Sequence, residues 1–198
     1  MSRWLRALAI VLLAASCTTG GVKGKAPRNM DNACSILEQR PGYARAFRVT
    51  ERRWGVPMHI QMATIYQESR FVSNARTPMR WRLGVIPVGR QSTAFGYSQA
   101  IDSTWDEYRR SAGSRFARRT DIRDASDFMG WYMSQSNQQL GIALDDMRNQ
   151  YLAYHEGRTG YRRGTYRNKS WLLRVANDLD ARADRYERQL SGCRAARR

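Results

Sequence analysis

Histidine is almost missing from this chain: His59 and His155 are the only two in 198 residues. No group of His and Cys stands at ligand spacing, so neither a metal site nor a cofactor is expected. Cysteine is nearly as scarce, with Cys17, Cys34 and Cys193. No run of alternating β-branched residues and no hairpin dipeptide occurs, which excludes a mainly β fold. Repeats and low-complexity tracts are absent from the domain, so a solenoid is excluded as well. No apolar run is long enough to span a bilayer. Acidic residues are few, 17 against 34 Lys and Arg, for a formal charge of +17. In so basic a chain, a carboxylate inside an apolar segment stands out.

The chain opens with Met1-Ser2-Arg3-Trp4-Leu5-Arg6 and an apolar stretch from Ala7 to Ala15. A charged head before a short apolar run is the pattern of a bacterial export signal, here residues 1–16. The stretch ends at Ala14-Ala15-Ser16-Cys17, which resembles a lipobox, with cleavage before Cys17 and acylation of its thiol. Ala14 stands where Leu is usual, which keeps plain periplasmic secretion as the alternative. Thr18 and Thr19 follow the cysteine and no Asp does. By resemblance to lipoprotein sorting in Gram-negative bacteria, this implies the outer membrane. Export leaves Cys34 and Cys193 as an even pair in an oxidising compartment, expected as a disulfide joining the two ends of the domain. Two buried, reduced thiols are the alternative.

Removing Arg3 and Arg6 with the signal leaves +15, which calls for an acidic partner. Aromatics interleaved with arginines would suit nucleic acid. An exported protein meets little of it, so no nucleic-acid partner is expected. Peptidoglycan, with its peptide carboxylates, is the polyanion at hand.

A length of 198 residues suits one domain with a full core. Residues 17–40 read as an anchored tether and cap, with no periodicity over 18–32. Residues 41–193 form the domain and 194–198 a basic tail. Tyr43, Ala46, Phe47, Thr50 and Trp54 share one face of a helix that Gly55 stops. Pro57 suits the first turn of a helix ending at Glu68. Helices follow over about 102–112, with Trp105 and Tyr108, and over 127–140, with Phe128, Trp131 and Tyr132. Leu144, Met147, Tyr151 and Tyr154 repeat at helical spacing up to Gly157, and Leu172, Val175, Leu179, Ala183, Tyr186 and Leu190 mark the last helix. The fold class is therefore mostly α, with room for a minor β element in residues 83–88.

Glu68 closes the apolar stretch Ile60 to Phe71, where a carboxylate opposes the helix dipole. If its neighbours also bury it, the protonated form is favoured, which is what a general acid needs. The alternative is a solvated Glu at a surface turn, or one paired with Arg70.

Glu68-Ser69-Arg70-Phe71 is followed by Phe95-Gly96-Tyr97-Ser98-Gln99-Ala100 and then by Tyr151-Leu152-Ala153-Tyr154-His155-Glu156-Gly157. In order and spacing these resemble the signature blocks of family 1 lytic transglycosylases of the soluble type, E-S-x-F, G-x-x-Q and A-Y-N-A-G. The resemblance covers roughly residues 43–190. It implies a lysozyme-like helical domain of the goose-type/SLT kind that cleaves peptidoglycan strands between muramic acid and glucosamine. It assigns Glu68 as catalytic acid and then base, with the muramic 6-hydroxyl attacking to leave a 1,6-anhydro end.

By the same resemblance, Ser69, Tyr97, Ser98 and Gln99 line the floor of the cleft and Tyr154 lies beside the acid. On the residues alone, Tyr154 is equally a core tyrosine and Gln99 a polar residue at a helix start. The third block departs from the family at His155 and Glu156. Either residue could replace the missing Asn at the substrate, and Glu156 could supply the second carboxylate of a hydrolase. Consecutive helical residues diverge, so at most one is expected to face the cleft. Residues 73–93 are expected as a substrate-contacting loop.

Two rival functions follow from the altered block and the charge. One is a non-catalytic peptidoglycan-binding or scaffold lipoprotein, and the other is a polyanion-binding envelope protein. Recruitment by an envelope assembly machinery is an analogy that names no partner.

Overall fold

The structure is a computed structural model and describes residues 24–197. The export signal and Cys17 lie outside the described residues. The chain is mostly helical, in the order α1 (Ala33–Gln39), α2 (Pro41–Trp54), α3 (Met58–Ser69), β1 (Met79–Arg82), β2 (Ile86–Arg90), α4 (Asp102–Ser111), α5 (Ile122–Leu140), α6 (Met147–Arg163), a 3-10 turn (Thr165–Asn168), α7 (Ser170–Ser191) and α8 (Arg194–Arg197). A mostly α domain with one minor two-stranded sheet is thus the fold, as the sequence implies.

Local chemistry sets the boundaries. Pro41 occupies the first turn of α2, where its missing N–H costs nothing, and Gly55 ends the helix in a left-handed conformation at φ 75°. Pro57 caps α3 in an extended conformation, so α3 begins at Met58. Asp121 caps α5 by accepting from the Arg123 N–H, which starts this helix at Ile122, five residues before the expected Asp127. α6 runs through Gly157 instead of stopping there. At φ 73° and ψ 155° that glycine breaks the helix, which then resumes to Arg163. This backbone region is open essentially to glycine alone.

The core lies between α2 and α5 on one side and α3, α6 and α7 on the other. α2 and α5 meet closely at Gly130, where a Cβ would stand 2.5 Å from Thr50 and 2.6 Å from Trp54. Around that contact, Asp127 accepts from the Trp54 indole at 2.8 Å, the Tyr108 hydroxyl at 2.7 Å and the Arg53 guanidinium at 2.7 Å. Trp105, Tyr108, Phe128, Trp131, Tyr132 and Tyr154 form a continuous aromatic cluster that links α4, α5 and α6.

Cys34 in α1 and Cys193 beside α8 form a disulfide with Cα atoms 5.6 Å apart. Beside it, the Ala33 N–H donates to the Gln189 side chain at 2.7 Å and Arg182 pairs with Asp31 at 2.8 Å. The small sheet is an antiparallel hairpin over residues 79–90, wider than the expected 83–88, and its turn falls at Leu83 and Gly84.

Candidate active site

Glu68 is the penultimate residue of α3. The helix ends abruptly because Arg70 and Phe71 both take the left-handed conformation, at φ 51° and 60°. Neither is glycine, so the exit from the helix is strained, and such strain concentrates at functional sites. Packing holds it: Phe71 is buried and stacks on Tyr43 at 6.1 Å, and the Arg70 guanidinium lies over the Tyr66 ring at 3.9 Å.

A cleft of about 500 Å³ opens in front of Glu68. Its walls include Thr77 and Ser92 at the base of the hairpin, Gln99 and Ile101, Phe128 and Tyr132 of α5, and Tyr154, His155, Glu156 and Gly157 of α6. Burial pushes the Glu68 carboxyl up to about 7, and the neighbouring Tyr151 hydroxyl works against that rise. Among the described residues no cation stands close enough to hold the carboxyl ionised, despite the chain's many arginines. A substantial share of it therefore stays protonated at neutral pH, unlike an ordinary solvated Glu. Burial and the nearness of Glu68 also raise the Tyr151 and Tyr154 hydroxyls, so both remain neutral.

The second block is a joint. Gly96 has φ 79°, and a Cβ there would sit 2.2 Å from the Arg119 carbonyl oxygen, so only glycine fits. Its N–H donates to the Ala75 carbonyl at 2.9 Å, and the Tyr97 N–H donates to the Arg119 carbonyl at 3.1 Å. Gln99, at φ 48°, donates through its side-chain amide to the carbonyls of Ala75 at 3.0 Å and Gly96 at 2.8 Å. The Tyr154 hydroxyl donates to the Ser98 carbonyl at 2.6 Å, tying α6 to the same joint.

The expected site residues divide into two groups. Glu68, Gln99, Tyr154, His155 and Glu156 come together on the cleft wall. Ser69, Tyr97 and Ser98 stand behind that wall. Ser69 is buried with its hydroxyl donating to the Ile65 carbonyl at 3.2 Å, Tyr97 shares a 2.8 Å hydrogen bond with Tyr43, and Ser98 contributes its backbone. His155 and Glu156 both border the cleft, against the expectation that at most one would, because the break at Gly157 lets the chain turn away immediately after them.

Glu156 is held on every side. Lys169 reaches one carboxylate oxygen at 2.7 Å, His155 Nδ1 lies 3.0 Å from the same oxygen, and Thr165 donates to the other. Burial raises its pKa, but these three hydrogen bonds outweigh that and bring it down to about 2. Such a carboxylate is a fixed anion and a very weak base.

Tyr132 and Phe128 belong to the cleft without having been anticipated there, whereas Thr77 and Ser92 fall within the 73–93 segment expected to contact substrate. Tyr151, buried behind the wall and hydrogen-bonded to Glu68, could have been anticipated as its neighbour, since it lies three residues before Tyr154 on the face of α6 that carries the tyrosine of the third block. Among the described residues, no three His, Cys, Asp or Glu are grouped so as to hold a metal ion.

No curated protein matches the sequence. A family model described as "Transglycosylase SLT domain" matches residues 5–193. With a buried carboxyl of raised pKa at the end of a strained helix, a cleft before it and a match over nearly the whole chain, the protein belongs to the transglycosylase SLT domain family, whose activity is of the lytic transglycosylase type on peptidoglycan.

Proposed function

We propose that the protein is a lytic transglycosylase similar to family 1, cleaving the β-1,4 bond between N-acetylmuramic acid and N-acetylglucosamine without water, with Glu68 as acid and then base. One observation carries this reading: Glu68 faces the cleft with its pKa raised to about 7 and no cation beside it. The protonated carboxyl gives its proton to the glycosidic oxygen as the bond to the muramic C1 breaks. The resulting carboxylate then takes the proton of the muramic 6-hydroxyl as that oxygen bonds to C1. The proton is returned, one C–O bond replaces another, and the products are a 1,6-anhydro end and a free glucosamine hydroxyl.

Tyr154, fixed by its bond to the Ser98 carbonyl, and Gln99, fixed by two carbonyls, set the shape of the wall beside the reacting bond. Glu156 stays ionised and clamps the segment after Gly157. It is a poor activator of water, which disfavours a hydrolytic route.

Digestion of purified sacculi followed by mass spectrometry of the sugar ends tests the proposal. Anhydro ends are expected. Reducing ends would mean hydrolysis, and no release would mean a binding or scaffold protein. The profile of kcat/KM against pH should show one descending limb near pH 7, because the acid form of Glu68 is lost as pH rises through its pKa. A rate that keeps rising above pH 8 would contradict the assignment.

We further propose that the protein is anchored in the outer membrane, facing the periplasm, through a lipid on Cys17. The support is the resemblance of Ala14-Ala15-Ser16-Cys17 to a lipobox, and an envelope location agrees with the family. Among the described residues no helix is long and apolar enough to cross a membrane. Cys17→Ala should move the protein from the membrane fraction to the soluble fraction. Unchanged fractionation would reject the anchor.

A further inference from the structure

The hairpin over residues 79–90 projects from the cleft rim, and only its base is used by the site. Five apolar residues crowd its outer part: Trp81 is 56% exposed, Leu83 85% and Val85 74%, with Ile86 and Val88 about half exposed. Scattered exposed apolar side chains are ordinary, but five gathered on one twelve-residue hairpin, on both its faces and its tip, mark an interaction element. The tip breaks a local rule as well. Leu83 and Gly84 both have positive φ, at 53° and 75°, and the Val85 N–H donates to the Arg82 carbonyl at 3.3 Å. A tight hairpin turn of this kind favours Asn or Asp before the Gly. Leucine is disfavoured there both by its backbone and by its exposure to water, and such a departure points to a use.

Charge narrows the partner. From Ser69 through Ile101 there is no Asp or Glu, while Arg70, Arg76, Arg80, Arg82 and Arg90 lie in that stretch. The hairpin is thus an aliphatic tip flanked by arginines, with no acid in its own stretch of chain and Asp102 near Arg90 only at its base. Aliphatic side chains suit acyl chains better than they suit the hydroxyl-rich faces of sugars. Tether length adds to this. The Gly24 N–H donates to the Ser73 hydroxyl at 3.1 Å, six residues before β1. Gly24 is seven positions after Cys17, so a lipid on Cys17 holds this corner of the domain within about 25 Å of the bilayer even at full extension.

We propose that the hairpin is a membrane-docking element for an anionic lipid surface. Leu83, Val85 and Ile86 enter the boundary between headgroups and acyl chains, Trp81 lies at the interface, and Arg80, Arg82 and Arg90 meet lipid phosphates. The inference rests in part on the proposed anchor at Cys17. Because Thr77 and Ser92 at the hairpin base line the cleft, docking orients the cleft mouth relative to the membrane.

The test uses the full chain carrying Cys17→Ala, so that no acyl chain contributes. An environment-sensitive nitrobenzoxadiazole label at Val85→Cys reports on the tip, and the same label at Gln138→Cys on α5 is the control. A local probe answers for the hairpin whatever else holds the chain to a vesicle. Vesicles of phosphatidylglycerol and phosphatidylethanolamine should shift the emission at position 85 to the blue and leave position 138 unchanged, with a smaller response to phosphatidylcholine alone. In the Val85-labelled chain, Arg80→Ala with Arg82→Ala should weaken this response roughly 25-fold in lipid concentration. No shift at position 85, an equal shift at position 138, or a shift with sacculi but not with vesicles would each overturn the proposal. The vesicle arms contain no glycan, so their outcome is independent of the catalytic assignment.

Discussion

Glu68→Gln is expected to abolish glycan release while leaving the fold intact. The amide keeps nearly the shape of the carboxyl but can neither deliver a proton to the glycosidic oxygen nor recover one from the 6-hydroxyl. General acid–base catalysis contributes about 10² to 10⁴ in rate, so an ordinary sacculus assay should detect almost nothing. Far-ultraviolet circular dichroism, recorded alongside, separates loss of chemistry from loss of structure. Glu156→Gln ranks the mechanisms. Removing its charge loosens the contacts to Lys169 and His155, so some loss is expected, but the products should still carry anhydro ends. If Glu156 activated water, its loss would stop the reaction and the native products would be reducing sugars. Retained activity in Glu68→Gln would sink the assignment whatever Glu156 does.

Cys34→Ala together with Cys193→Ala should cost stability on a similar scale of importance. The bond joins residues 159 positions apart, and removal of a native disulfide from a small exported domain typically costs about 2 to 5 kcal/mol. For a domain of this size that is a fall in Tm of roughly 5 to 15 °C. Chain entropy is only part of the reason. α1 has seven residues, too few to be stable alone, and the disulfide, the Gln189 bonds and the Arg182–Asp31 pair dock it against α7 and α8. Losing the bond should therefore free α1 first, visible as rapid hydrogen exchange at Ile36 and Leu37, which are buried here. A Tm unchanged both in the double variant and in native protein under reductant would show that the bond contributes nothing.

Much of this architecture is legible in the chain, for identifiable reasons. α2, α4, α5, α6 and α7 announce themselves through apolar residues three and four apart, and α3 through its apolar stretch, with Gly55 and Pro57 marking ends. α1 and α8 do not, because seven and four residues are too few to show a period. The hairpin shows only as a minor β element over 83–88, because its turn is Leu-Gly where the recognisable signal is Asn-Gly or Asp-Gly, so the same departure that suggests a use also hides the turn. Glu68 is legible because a carboxylate in an apolar helix is conspicuous, and the three blocks bracket the cleft that forms around it. The fate of Glu156 is not. Its partners Thr165 and Lys169 lie nine and thirteen residues downstream, beyond the break at Gly157, and only the folded chain brings them back. Ser69 and Tyr97 mislead in the opposite sense, since a position inside a signature block does not distinguish a side chain that meets the substrate from one that holds the wall behind it.

Glu68, the proposed acid, also sets a limit on the domain's tolerance of alkali. Its pKa is raised from 4.5 to about 7 by folding, so the folded state binds the proton more tightly than the unfolded chain does. This contribution favours the folded form fully below pH 4.5 and is lost as pH rises through 7. Above that, the buried carboxylate is ionised with no counter-charge, a handicap of up to about 3 kcal/mol at about 1.4 kcal/mol per pH unit. The group proposed to make the cleft reactive is therefore one the fold would be more robust without. On that proposal, a glycan strand that filled the cleft and displaced its water would deepen the burial and keep the acid protonated to higher pH, so the substrate itself would extend the range in which the enzyme is armed.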